Sequence, residues 1–233
     1  MTTMSSARRV FIEPRATPWV KLCGVRDVAT ARALASLMPD AIGLNFYGQS
    51  HRFVTVRIAA DICENLPQQI LAAGVFVNAT LNDILQVVGM TGIAAVQLHG
   101  DEPAALIAEL RFARPELAIL RAWRVDEEGL SSLKSHLQEC ARFTAMPDAI
   151  LVDAKVTGSY GGTGQSAPWD VLRDYDRSWP PLILAGGLVP ENVAEAVAMV
   201  RPFGVDTAGG IESSPGVKDP ARAAAFIAAL TAC

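Results

Sequence analysis

Cys23 closes a short apolar run, two residues after Lys21 and directly before Gly24. Residues two apart in a strand share a face, so Lys21 and Cys23 point the same way. A thiol works as base or nucleophile only as thiolate, which a neighbouring ammonium or helix N-terminus favours. The plainer alternative is a buried cysteine acting as small apolar filler. Asp153 ends a second run, 149–152. A carboxyl buried in a pocket favours its protonated form and can then serve as general acid. Its alternative is an ion pair with Lys155 or Arg121. Thiolate base and carboxylic acid together are suited to moving protons on and off carbon and oxygen.

Other residues fit a ligand rather than the chemistry. The glycine pairs Gly186-Gly187 and Gly209-Gly210 each follow an apolar run. Glycine lets backbone N–H groups approach an anion closely, so the two pairs suit a phosphate, although paired glycines also make ordinary turns. Arg52 offers a planar fork for a carboxylate, against the alternative of a solvated surface arginine. Gln97 and His99 alternate at the end of another run; they line the pocket, or His99 is a satisfied wall histidine. No His, Cys and Asp cluster has metal-ligand spacing, so the expected metal set is none.

These residues need a scaffold that gathers strand ends. Apolar runs end at Gly24, Phe46, Asn78, Gly100, Arg124, Asp153, Gly187 and Asp206, with helical spacing between consecutive runs. Asp27 opens the first helix, and Thr80 with Asp83 reads as a helix N-cap and its partner three residues on. Pro190 starts the seventh helix and Asp219-Pro220 the last. Strands alternating with helices throughout give α/β class. Eight such units predict a single (β/α)8 TIM barrel, whose catalytic groups sit where the strands end and whose phosphate loops follow strands seven and eight. A doubly wound open sheet is the alternative, weakened by the absence of a G-x-G-x-x-G motif after the first strand.

At 233 residues and 51% hydrophobic composition, the chain suits one barrel of about 250 residues. Residues 1–17 lack periodicity and are expected to be a flexible N-terminal extension; an ordered cap over the barrel's bottom is the alternative. Residues 18–233 form the catalytic barrel. Net charge is −4, with no basic stripe, so no nucleic-acid partner is expected. No apolar run reaches the roughly 18 residues a membrane helix needs. Cys23, Cys63, Cys140 and Cys233 are widely spaced and suggest neither metal nor disulfide framework. A reducing cytoplasm is the expected compartment.

The motifs are together similar to those of the phosphoribosylanthranilate isomerases, from about Val20 onward. They are Val20-Lys-Leu-Cys-Gly, Gly43-Leu-Asn-Phe-Tyr with Ser50-His-Arg52, Gly74-Val-Phe-Val-Asn78 and Val96-Gln-Leu-His-Gly100. Further on stand Leu151-Val-Asp153 with Gly161-Gly-Thr-Gly164, Leu184-Ala-Gly-Gly-Leu188, and Val205-Asp206 through Ser214-Pro-Gly-Val-Lys-Asp219. The resemblance implies Cys23 as general base and Asp153 as general acid of an Amadori rearrangement. Arg52 is implied as anchor of the anthranilate carboxylate, and the glycine loops as phosphate site. The expected substrate-binding set is Arg52, Gln97, His99, Gly186, Gly187, Asp206, Gly209 and Gly210. The expected partner is a small phosphosugar-anthranilate substrate, with no cofactor, in a monomer or homodimer. Two departures stand out: Ala208-Gly209-Gly210 where the family usually has Ser-Ser-Gly, and Gly48 and His51 in the loop before Arg52. Alternatives are indole-glycerol-phosphate synthase, in which a lysine such as Lys21 is the acid, a histidine-pathway sugar isomerase, and a non-catalytic phosphosugar-binding barrel.

Overall fold

The computed structural model describes residues 4–125, 129–154 and 169–231. A short helix α1 (Ser6–Arg9) precedes eight strands: β1 (Trp19–Cys23), β2 (Ala41–Asn45), β3 (Leu71–Phe76), β4 (Ala95–Leu98), β5 (Ala118–Val125), β6 (Ala149–Ala154), β7 (Leu182–Leu184) and β8 (Gly204–Thr207). Each is followed by a helix: α2 (Val28–Ala35), α3 (Val56–Glu64), α4 (Leu81–Thr91), α5 (Ala104–Ala113), α6 (Ser131–Arg142), α7 (Trp169–Leu172), α8 (Val193–Val200) and α9 (Pro220–Thr231). The strands are all parallel and close in sequence order, β8 pairing back onto β1 through Trp19↔Gly204 to Leu22↔Thr207. The chain is a (β/α)8 TIM barrel, as the alternating runs implied.

Strands covered on both faces read as unbroken apolar runs, and every residue of β1 is buried, Lys21 included. One face of each strand fills the interior. Ala41, Ala73, Ala95, Ala118 and Ala149 share it with Trp19, Leu120, Leu151 and Ile183. Small residues on five strands leave room for the one indole. The opposite faces pack on the helices in a second, larger core. Asp27 and Thr80 cap α2 and α4 as their spacing indicated, Thr80 and Asp83 forming a reciprocal capping box. Helix α8, however, begins at Val193 and not at Pro190. The Asn192 side chain accepts from Val189 N–H and donates to the Gly187 carbonyl, which carries the chain through a turn first.

Within residues 4–17, α1 and Phe11 pack against the barrel's bottom, where an ordered cap would lie, while residues 12–17 are exposed. Phe11 is 2% exposed, its ring centroid 5.4 Å from that of Trp19 and 5.9 Å from that of Phe203. Arg8 clamps the segment to Asp148 at 2.9 Å. Phe11 thus closes the end of the barrel opposite the C-terminal ends of the strands. Residues 1–3, 155–168, 126–128 and 232–233 lie outside the described residues, and with them Lys155, Cys233 and the glycine loop 161–164.

One buried histidine faces the outer layer. His136 on α6 packs on Trp123 of β5, centroids 4.9 Å apart. Burial, with Arg121 adding to it, lowers its pKa from 6.5 to about 4. The unfolded chain therefore binds a proton that the folded chain refuses between those values. Stability is expected to fall as pH drops from about 6.5 to 4, with no further loss from this group below that. Denaturant unfolding at several pH values should show the slope, and His136→Phe should flatten it.

Candidate active site

Lys21, Cys23, Gln97, Asp153 and Asp206 occupy the interior-facing positions at the C-terminal ends of β1, β4, β6 and β8. His99 stands one residue past β4 and Arg52 in the loop after β2. Alternation along each strand explains the choice: below these residues the same faces carry the alanines and Trp19 of the interior core.

At β1, Lys21 is fully buried and its Nζ lies 2.8 Å from Asp206 Oδ1. Burial alone would lower its pKa, but Asp206 and Cys23 outweigh burial and hold it above the ordinary lysine value. Lys21 is therefore a fixed ammonium at the cysteine thiol. Gly43 of β2 makes the approach possible. A Cβ there would stand 2.6 Å from Cys23 Sγ and 3.0 Å from Lys21 Nζ, so only a bare Cα fits between strand and thiol. Gly24 serves likewise on the other side: it has φ +82°, and a Cβ on it would collide with the Arg52 stem. Glycine tolerates that backbone and lets Arg52 lie against the end of β1.

Arg52 is 9% exposed, which excludes a solvated surface arginine. Its Nε and Nη2 donate to both oxygens of Glu212 at 2.7 and 2.8 Å. Glu212 opens the small hairpin of β9 (Glu212–Ser214) and β10 (Val217–Lys218), and also receives Lys218 Nζ at 2.8 Å. Burial would push the Glu212 carboxyl up; the hydrogen bonds from Arg52 and Lys218 override it and lower its pKa to about 2. The pairing takes one edge of the guanidinium, leaving the Nη1 edge with no hydrogen bond among the described residues. A carboxylate can dock on that edge. The loop carrying Arg52 is braced despite Gly48 and His51. Ser50 Oγ accepts the Arg52 N–H at 3.1 Å, and the His51 carbonyl accepts from Arg26 at 2.7 Å.

Asp153 does not pair with Arg121; its other alternative, Lys155, lies outside the described residues. Arg121 turns to the Leu98 and Gly100 carbonyls and to Glu102. Asp153 Oδ2 instead lies 3.3 Å from His99 Nε2, and the other ring nitrogen, Nδ1, lies 2.6 Å from Gln97 Nε2. Gln97, His99 and Asp153 form one continuous row across β4 and β6.

Gly186 and Gly187, at φ +84° and +66°, follow β7, and Gly209 and Gly210 form a single 3₁₀ turn after β8. The two loops are tied by Thr207, whose hydroxyl donates to the Leu188 carbonyl. A Cβ at Gly210 would strike that same carbonyl, whereas one at Gly209 would meet only Arg52 Nη2, at 3.5 Å. Backbone geometry thus requires glycine at 210 and not at 209. Among the described residues no three His, Cys, Asp or Glu side chains could hold a metal ion.

Sequence reading missed Glu212, Lys218 and Gly43. Glu212 and Lys218 belong to the long segment after β8, but nothing in their spacing announces that Glu212 pairs with Arg52, 160 residues away in sequence, while also receiving Lys218. The approach of Gly43 to Cys23 follows from strand register, Cys23↔Gly43, which a sequence without a fixed barrel does not state.

A family model described as N-(5'-phosphoribosyl)anthranilate (PRA) isomerase matches residues 20–229. The N-(5'-phosphoribosyl)anthranilate isomerase of Gloeothece citriformis is 36% identical over 200 residues, covering 86% of this chain and 88% of the relative. The crystal structure of phosphoribosyl anthranilate isomerase from Thermotoga maritima superposes with a TM-score of 0.80 at 31% identity, over 93% of this chain and 100% of that one. A phosphoribosyl anthranilate isomerase in complex with reduced 1-(o-carboxyphenylamino)-1-deoxyribulose 5-phosphate gives a TM-score of 0.78 at 30% identity, with the same coverage.

Proposed function

The chain belongs to the N-(5'-phosphoribosyl)anthranilate isomerase family, and from that premise we propose that it isomerises its substrate with Cys23 as general base and Asp153 as general acid. The reaction is an Amadori rearrangement. Asp153 protonates the furanose ring oxygen, the C1–O bond breaks, and the electron pair left on nitrogen closes a Schiff base at C1. Cys23, as thiolate, then takes the proton from C2. The C2–H electrons form the C1–C2 bond order of an enolamine while the Schiff-base nitrogen regains its lone pair. Tautomerisation yields the ketone of 1-(2-carboxyphenylamino)-1-deoxyribulose 5-phosphate. Only protons move.

The observation that carries this reading is the fully buried Lys21 ammonium at the Cys23 thiol, paired with Asp206. A fixed positive charge favours thiolate there. It also speaks against Lys21 as the acid, as in indole-glycerol-phosphate synthase, because an ammonium held this firmly does not give up its proton. Arg52 is proposed to hold the anthranilate carboxylate on its Nη1 edge, with Asp206 facing the sugar. Gly186, Gly187, Gly209 and Gly210 are proposed to hold the phosphate on backbone N–H groups. Phosphate binding far from the reacting carbons can be used to orient them. Every residue of the proposed site comes from one chain, so a monomer or a homodimer would carry it.

Among the described residues no helix is long and apolar enough to cross a membrane. Cys23, Cys63 and Cys140 are unpaired thiols, which supports the proposed cytoplasmic residence.

Purified protein given phosphoribosylanthranilate generated in situ should remove its anthranilate-type fluorescence, with kcat/KM bell-shaped in pH when chemistry limits. No turnover would refute the reading. Arg52→Lys is expected to raise KM more than it lowers kcat, since lysine keeps the charge and loses the fork. One charge-assisted hydrogen bond, roughly 1.5–3 kcal/mol, corresponds to a KM increase of about tenfold or more. An unchanged KM would place Arg52 outside the site.

A further inference from the structure

The backbone of His99 is hydrogen-bonded on both sides, and each ring nitrogen has a polar neighbour. Its backbone N–H donates to the Phe76 carbonyl at 2.8 Å, and its carbonyl accepts from Arg124 Nη2 at 3.1 Å. Gln97 Nε2 lies 2.6 Å from Nδ1, and Asp153 Oδ2 3.3 Å from Nε2. Gln97 is 1% exposed. Its Oε1 is buried without a hydrogen-bond partner among the described residues, and the amide atom that meets the imidazole is the nitrogen. An amide nitrogen only donates. Nδ1 must therefore accept, and the single proton of a neutral ring sits on Nε2, facing Asp153.

We propose that Gln97 is a positioning residue for the acid: its amide fixes His99 as the neutral Nε2–H tautomer, which donates to one oxygen of Asp153 and leaves the other oxygen to carry the proton to the substrate. With Nδ1 occupied by a donor and Nε2 already protonated, His99 has no lone pair with which to take the proton of Asp153. Were His99 an imidazolium, it would hold Asp153 ionised and useless as an acid. Among the described residues the charged groups near His99 include Asp153 from β6, Arg124 from β5 and Asp101, the last paired with Arg124 at 3.9 Å. Gln97 is the neutral member, and the proposal depends on that neutrality. It rests on Asp153 being the acid, and extends that reading one residue further, to the amide that meets His99.

The test is the side-chain nitrogen spectrum of uniformly ¹⁵N-labelled enzyme at pH 7. The chain has 3 histidines, and His99→Asn identifies the His99 signals. The expected pattern is a neutral ring with the proton on Nε2. A proton on Nδ1, or an imidazolium, overturns the proposal without any variant of Gln97 being made. Gln97→Glu, nearly isosteric, places an acceptor at Nδ1 and is expected to convert His99 to imidazolium. It should lower kcat by at least about tenfold, short of the roughly 10²–10⁴-fold that a general acid supplies. Gln97→Met keeps volume, removes the amide and should give mixed tautomers with a smaller loss. If Gln97→Glu changes neither spectrum nor kcat, the proposal fails. Retained turnover in Asp153→Asn would overturn the acid assignment itself, a failure that leaves the wild-type nitrogen spectrum as expected and so is told apart.

Discussion

Cys23→Ala should leave a folded barrel whose chemical step is slower by roughly 10²–10⁴-fold, the typical contribution of a general base. Alanine fits β1, where the side chain at 23 faces Gly43 and the Lys21 ammonium, and the change removes no hydrogen-bonded backbone. What it removes is the only proton acceptor on the interior face of β1, since Lys21 is already protonated and paired with Asp206. The quantity to measure is the single-turnover rate, because product release can limit kcat and hide a slower chemical step. Binding of the product should survive, as Arg52 and the glycine loops are untouched. Cys63 and Cys140 provide the contrast. Burial pushes both thiols up to about 11, and they lie on α3 and α6, so Cys63→Ala should change the rate little. A Cys23→Ala single-turnover rate near that of the unaltered protein would end the base assignment.

The positions of Cys23 and Asp153 could be read from the chain because parallel strands buried on both faces leave unbroken apolar runs. The first reactive residue after such a run marks the strand end. The partners of these residues could not be read in the same way. Asp153 could pair with Arg121 as far as the chain alone shows, but in the fold it meets His99, because register sets β4 and β6 on either side of β5 and sends Arg121 to the outer face. Arg52 meeting Glu212 depends on a hairpin only a few residues long, without the periodicity that reveals a longer element. The cap formed by Phe11 has the same origin: α1 is a 4-residue helix, too short to show an apolar stripe. Phe11 gains its burial from Trp19, which protrudes where five neighbouring strands carry alanine. Strand ends are local properties of sequence, whereas these three contacts exist only after closure of the barrel.

Asp153→Asn tests the other end of the proton path, and its expected effect is as large, roughly 10²–10⁴-fold on the chemical step. The amide keeps the shape of the carboxyl, and its oxygen can still accept from His99 Nε2, so the row from Gln97 to position 153 should stand. Asparagine cannot give a proton to the ring oxygen, and the furanose should stay closed. The two variants therefore fail at different bonds. In Cys23→Ala the ring still opens and loss of the C2 proton becomes limiting. Substrate deuterated at C2 should then show a primary isotope effect on single turnover. In Asp153→Asn ring opening precedes and limits everything after it, so the same deuterium should have no effect. Both variants should bind product with nearly unchanged affinity, since neither position is proposed to hold carboxylate or phosphate. An isotope effect in Asp153→Asn as large as in Cys23→Ala would mean that the ring opens without Asp153, and the acid would have to be sought elsewhere in the barrel mouth.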